Sequence, residues 1–232
     1  MTRDRPNPQD VLALVETMFE ADERGRLLGS APLFYLLRTP QATISRFHTS
    51  LGDELVFRLK ELSARKRGRP AQWQNEYGDY LSAIAGSNLQ ISAMRAGPLY
   101  TVPNDIPSNG GACTAITESN AHLLRDGLEE WLPDISNGLP MYATVVDDRA
   151  VAICATVGAS KTAHCAGVET VVAHRGKGFA ASAVAGWSSA VRALDAIPFY
   201  GTTFDNISSQ LVARRLNMSL VGSEFSVRGK GG

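Results

Sequence analysis

Arg175-Gly176-Lys177-Gly178-Phe179-Ala180-Ala181 is the stretch on which the fold turns. After it, Ala180, Ala183, Val184, Trp187, Ala190, Val191 and Leu194 repeat at i, i+3, i+4, i+7, i+10, i+11 and i+14, the cleanest helical period in the chain, so a long helix begins at the glycines. Before it, residues 162–172 read as a strand. A glycine-rich turn from strand into helix is suited to an anion. The first helical N–H groups lack partners within the helix, the dipole end is positive, and residues without Cβ let a phosphate reach the main chain. Arg175 and Lys177 add positive charge. Gly176, Gly178 and Ala181 also satisfy G-x-G-x-x-A, the dinucleotide fingerprint. In a doubly wound fold that turn follows the first strand and several βαβ units come after it. Here only about fifty residues follow Gly178, enough for one helix and two strands. A phosphate site on a different fold is therefore the stronger reading, with a purely structural tight turn as the alternative.

Upstream, residues 141–146 and 150–157 flank Asp147, Asp148 and Arg149, a pattern that predicts two antiparallel strands joined by a tight turn. Residues 119–131 read as helical, with Leu124, Leu128 and Trp131 on one face. Residues 89–102 are strand-like but broken by Gly97 and Pro98, and residues 103–111 form a loop. Downstream, residues 198–203 make a short strand. A helix capped by Asp205 or Asn206 runs to about Leu216, Asn217 suits the left-handed position after it, and residues 218–227 return as a final strand.

The first hundred residues read as mainly helical. Val11, Leu14, Val15, Met18 and Phe19 form one amphipathic stripe, Leu51, Leu55, Leu59 and Leu62 a second, and Trp73, Tyr77, Tyr80, Leu81 and Ile84 a third. The second runs into Arg65-Lys66-Arg67-Gly68-Arg69-Pro70, read as a solvated helix end whose cations complement the dipole. A helical region over residues 1–88 and a core over residues 89–232 is the expected division.

The 232 residues carry 23 basic and 23 acidic side chains, which argues against nucleic acid or an anionic membrane as the main partner. No apolar run approaches a membrane span and the first residues lack a secretory signal, so the cytoplasm is expected. Cys113, Cys154 and Cys165 are odd in number and lack metal-ligand spacing. They read as free thiols, with neither a disulfide framework nor a metal site.

These elements resemble the GNAT superfamily of N-acetyltransferases, whose signature R/Q-x-x-G-x-G/A is matched by Arg175, Gly178 and Ala180. The element order over residues 89–228 agrees with that family. The most specific part is 167–218, where Gly167-Val168-Glu169-Thr170 leads into the signature and Asn206-x-x-Ser209 leads into Ala213-Arg214-Arg215-Leu216. Gly97-Pro98-Leu99-Tyr100 and the helical N-terminus look like those of little-characterised bacterial members with extended N-termini. The fold so implied is α/β (α+β): a mixed, mainly antiparallel sheet flanked by helices, with a helical N-terminal region. The resemblance implies acetyl-CoA as co-substrate. Its pantetheine arm would lie along Val168, Glu169 and Thr170, and its pyrophosphate on the main chain of Arg175, Gly176, Lys177, Gly178, Phe179, Ala180 and Ala181. Asn206 matches a position that commonly contacts the cofactor, and is also placed to cap a helix. The implied reaction is acetylation of a primary amine of a small-molecule or peptide acceptor by direct attack in a ternary complex. The alternative is a non-catalytic acyl-CoA-binding or regulatory module. The sequence leaves the acceptor and the oligomeric state open, a homodimer included.

An alkyl amine holds its proton until about pH 10, so a base must remove it before attack. Glu169 and His164 are the candidates. His164 stands eleven residues before Arg175, where arylalkylamine N-acetyltransferases carry a histidine for this purpose. Five residues separate the two, so a regular strand faces them oppositely unless a bulge intervenes. The tyrosine that many family members use to protonate the departing thiolate is matched here by Ala213, which leaves the acid unassigned.

Overall fold

The computed structural model describes residues 6–65, 77–106 and 113–230. Lys66 to Pro70 of the basic cluster, Trp73 of the third stripe and residues 107–111 of the expected loop lie outside the described residues. In chain order the elements are α1 (Pro8–Met18), β1 (Phe34–Arg38), β2 (Thr43–Phe47), α2 (Asp53–Ala64), α3 (Tyr77–Ala85), β3 (Ile91–Thr101), β4 (Cys113–Ala115), β5 (Met141–Val146), β6 (Arg149–Ala159), β7 (Ala163–Thr170), α4 (Phe179–Ala193), β8 (Ile197–Gly201), α5 (Ile207–Arg215) and β9 (Ser219–Gly229). No described helix is long and apolar enough to cross a membrane.

The chain divides into two compact units. The first comprises residues 1–14, 100–201 and 206–219, and its strands run in the order β8-β7-β6-β5-β4. β4, β5, β6 and β7 pair antiparallel and β7 pairs with β8 in parallel. One parallel pair among these strands is not the doubly wound sheet that the dinucleotide fingerprint requires. The β5–β6 hairpin turns on Asp147 and Asp148, both left-handed at φ 49° and 56°, the conformation of a type I′ turn. α4 lays Ala183, Val184, Trp187 and Val191 into a core shared with Cys154, Ala166, Tyr200, Ala213 and Leu216. α5 ends at Arg215 with Leu216 as its C-cap, and Asn217 takes φ 51°, since Asn tolerates the left-handed conformation better than most residues.

Residues 119–131 are not one α-helix. They form two 3₁₀ segments, Glu118–Leu124 and Glu129–Asn137, separated by Asp126 (φ 65°) and Gly127 (φ 122°). An Asp-Gly pair in left-handed conformation stops a helix whatever the apolar period around it, and Pro133 removes a backbone donor from the second segment.

The second unit comprises residues 15–99, 202–205 and 220–232, with strand order β2-β1-β9-β3. Its core buries Leu55, Val56, Leu59 and Leu62 of α2 and Tyr80, Ala83 and Ile84 of α3 against Phe34 and Leu36 of β1 and Phe225 and Val227 of β9. Two of the three helical stripes thus find their partner surface on a sheet, and the expectation of a mainly helical first hundred residues is corrected by β1 and β2. All five residues of β1, Phe34-Tyr35-Leu36-Leu37-Arg38, are buried, so the strand shows no alternation of apolar and polar residues. It pairs antiparallel with β2 on one edge and β9 on the other, where Leu36 faces Ser45 and Phe225. β3 also runs unbroken through Gly97 and Pro98. The carbonyl of Pro98 accepts from Thr202 N at 3.2 Å, so the strand keeps a pairing bond at the proline although Pro98 has no N–H to return one.

Candidate active site

β7 and β8 are paired only over Ala163↔Ile197, His164↔Pro198 and Cys165↔Phe199. β7 then continues to Thr170, held on its other side by β6, where Ala152 faces Thr170 and Cys154 faces Val168. The strand edge from Ala166 to Thr170 therefore has no β8 partner, and a ligand with amide groups can pair with such an edge. Beside it opens a cavity of about 330 Å³. It is lined by the end of β7, the turn into α4, Tyr200 of β8 and residues of α5.

The turn is built on two left-handed glycines, Gly176 at φ 77° and Gly178 at φ 89°. Gly178 is the N-cap of α4. A residue with a Cβ is strained at these angles, and the sequence meets the demand with glycine. At Gly176 a Cβ would meet nothing within 4 Å; at Gly178 it would come 3.0 Å from Nη1 of Arg215. The Arg215 guanidinium thus sits over the helix N-terminus, two sources of positive potential at one end of the cavity. Arg175 Nε donates to the carbonyl of Thr170 at 3.1 Å and ties the turn to the end of β7. Asn206 Oδ1 accepts from Ser209 N at 3.0 Å and caps α5.

Of the residues expected to hold a cofactor, Val168, Thr170, Arg175, Gly176, Gly178, Phe179, Ala180, Ala181 and Asn206 line this one cavity, and Lys177 does not. Sequence reasoning missed Tyr200, Ser208, Ser209, Leu211, Val212 and Arg215 as lining residues. Ser209 and Arg215 lay in quoted motifs; Tyr200 carries no local signal, because it reaches the cavity from β8, an element outside those motifs.

The two candidate bases part company. β7 is regular, and the irregularity lies in β6, where pairing shifts between Thr156 and Gly158. Glu169 lines the cavity, and its Oε2 accepts from Trp131 Nε1 at 2.7 Å. A Cβ on Gly167 would come 2.7 Å from the Trp131 ring, so Gly167 and Glu169 share that face. The exposed Glu130 carboxyl is pushed above its ordinary range by its hydrogen bond to Glu169 and by the charge repulsion between them. His164 faces the other way, toward α4, and does not line the cavity. It is 5% exposed; Nδ1 lies 3.2 Å from Thr156 Oγ1, which accepts from Trp187 Nε1 at 2.9 Å.

Burial holds His164 below its ordinary value of 6.5. Below that value the unfolded chain binds a proton that the folded imidazole resists, so this group's contribution to stability falls as pH drops from above 6.5 toward the folded value. Urea unfolding at about pH 7.5 and about pH 5.5 checks this: His164→Gln should flatten the decline seen in the wild type, and an unchanged decline would assign it to other groups. None of the three cysteines forms a disulfide, and burial raises the Cys154 thiol well above its ordinary range, which makes it a poor nucleophile.

No family model matches the sequence, and no curated protein does. Solved structures do. A GCN5-related N-acetyltransferase-like protein from Streptococcus suis 89/1591 is similar over 97% of this chain and 94% of its own, with a TM-score of 0.51 at 12% identity. A protein from Novosphingobium aromaticivorans DSM 12444 placed in the GNAT family is similar over 60% of this chain, with a TM-score of 0.50 at 16% identity; the match spans 65% of that chain, just under two thirds.

Proposed function

We propose that this chain, which has the GNAT fold, transfers the acetyl group of acetyl-CoA to a primary amine of a small-molecule or peptide acceptor by direct attack in a ternary complex. The observation that carries the reading is the parting of β7 from β8 after Cys165 and Phe199, with the two left-handed glycines and Arg215 at one end of the opening. The residues present fit the donor. The unpaired edge near Val168 and Thr170 offers hydrogen bonds to the amides of the pantetheine arm. The main chain from Gly176 to Ala181 offers a pyrophosphate site, which Arg175 and Arg215 reinforce. The donor supplies an activated acyl carbon and a thiolate leaving group.

Glu169 is the preferred base. Its carboxylate is fixed by the Trp131 indole at the edge of the cavity. The Trp131 bond orients the group, and the carboxylate would take a proton from the incoming amine, directly or through water, once the neighbouring Glu130 carboxyl gives up its hydrogen bond. His164 is the second candidate; it is neutral at physiological pH but buried on the α4 face. The reading places the protein in the cytoplasm with its donor.

Release of free thiol from acetyl-CoA, screened across amino acids, polyamines, aminoglycosides and peptides, tests the proposal. At least one amine class should accelerate release. Glu169→Gln should then lower kcat/KM by roughly 10²- to 10⁴-fold. Near-normal kcat/KM in both Glu169→Gln and His164→Asn would exclude both as the base. A second reading, a non-catalytic acyl-CoA-binding module, is favoured by one observation: Ala213 stands at the usual tyrosine position and is fully packed in the core. It predicts CoA binding without thiol release for every amine.

A further inference from the structure

With Ala213 buried and chemically inert, the cavity still contains two hydroxyl groups in contact. Tyr200 comes from β8 and Ser209 from the first turn of α5, and Tyr200 Oη lies 2.5 Å from Ser209 Oγ. Both residues line the cavity. Ser209 is held at two points, its amide by Asn206 Oδ1 at 3.0 Å and its hydroxyl by Tyr200. Ala213, one turn further along α5, belongs to the same buried cluster as Tyr200. A phenol has thus reached the α5 side of the cavity from the neighbouring strand rather than from the helix itself.

We infer that Ser209 is the hydrogen-bond donor to the departing thiolate, and that Tyr200 is the positioning residue that orients its hydroxyl. The inference rests on the acetyltransferase reading above. In this assignment the Tyr200 phenol, 2.5 Å from Ser209 Oγ and 3.4 Å from the Ser209 carbonyl oxygen, gives its proton to the shorter contact with Oγ, which leaves the Ser209 proton free to point into the cavity. As the amine nitrogen bonds to the acetyl carbon, the C–S bond breaks and its electron pair stays on sulfur. The Ser209 O–H hydrogen-bonds that sulfur, and the thiolate takes its proton from solvent after release. No phenolate forms. Burial pushes Tyr200 up to about 12, so the phenol keeps its proton throughout the working range and remains a donor. A thiol ionises near about 8.5, so full transfer from such a phenol to the thiolate would run uphill. The pair therefore acts by hydrogen bonding, and a hydrogen bond to a charged acceptor is the stronger kind.

The ionisation of CoA bound to the protein tests this without an acceptor. The ultraviolet absorbance of the thiolate is followed against pH as a difference between the CoA complex and the desulfo-CoA complex, which cancels the protein's own tyrosines and cysteines. In the wild-type complex the thiol should ionise about one pH unit, roughly tenfold, more readily than in the Ser209→Ala complex. Ser209→Thr, which keeps the hydroxyl, should restore most of the effect. Tyr200→Phe leaves Ser209 and the α5 cap in place and should by itself show a loss of several-fold; in the Ser209→Ala background it should add nothing. Equal thiol ionisation in wild type and Tyr200→Phe, or in wild type and a CoA-binding Ser209→Ala protein, would overturn the assignment while leaving the acetyltransferase reading intact. A wild-type protein that does not bind CoA would overturn that reading itself.

Discussion

Gly178→Val is expected to abolish the rise in melting temperature that acetyl-CoA gives the wild-type protein. A ligand bound only by the folded state stabilises it by RT ln(1 + [L]/Kd), about 2.7 kcal/mol at a hundredfold excess over Kd. For a chain of this length that is a shift of roughly 5–11 °C. The substitution acts in two ways. At φ 89° a β-branched residue is strained, at a cost of about 1–3 kcal/mol, so the unliganded variant should melt earlier. The side chain also stands between the α4 N-terminus and any anion approaching it, beside the Arg215 guanidinium. The informative quantity is therefore the difference with and without ligand for each protein, measured by thermal shift. A folded Gly178→Val protein with the wild-type ligand shift would refute the site.

The largest loss of stability is expected at Gly97 in β3. A Cβ there would sit 1.8 Å from the carbonyl oxygen of Thr202, 2.6 Å from Thr203 Cα and 2.7 Å from the Thr202 carbonyl carbon. All three are backbone atoms, and two hydrogen bonds hold that backbone in place, Thr202 N to Pro98 O at 3.2 Å and Phe204 N to Ala96 O at 3.0 Å. No side chain can swing aside, so the segments must separate and their pairing must break. Gly97→Ala should cost about 3–5 kcal/mol, a fall in melting temperature of roughly 6–20 °C. Gly78→Ala in α3 makes the same chemical change where nothing lies within 4 Å, and it should be neutral to stabilising, as alanine is the better helix former. Equal stability of the two variants would mean that residues 202–204 do not pack on β3 as described.

Reading the chain residue by residue reaches the second half more fully than the first. The helix from Phe179, the hairpin at Asp147 and Asp148, the Asn206 cap and the left-handed Asn217 are all set by interactions within a few residues, and each stands where its local pattern puts it. β1 and β2 form a local antiparallel hairpin around residues 39–42, yet neither strand shows an alternation of apolar and polar residues. The apolar run at Phe34 is equally compatible with a buried helix, because β1 is covered on both faces and flanked by β2 on one edge and by β9, nearly two hundred residues away, on the other. The two 3₁₀ segments fell to the opposite cause: an apolar period was present, but the Asp126-Gly127 pair interrupts it.

The site divides along the same line. The glycine turn and its charge are properties of a seven-residue string, since backbone conformation at Gly176 and Gly178 and the free N–H groups of a first helical turn follow from chain geometry alone. The opposite facing of Glu169 and His164 is likewise fixed by the two-residue repeat of a strand. What lies on each face was decided only by tertiary structure. The Trp131 indole meets Glu169, Thr156 and Trp187 enclose His164, and Tyr200 reaches Ser209 from another strand. Those contacts join residues 8 to 38 positions apart. They exist because burying the apolar faces of α4 and the sheet brings the elements together, and no local window of sequence carries that information.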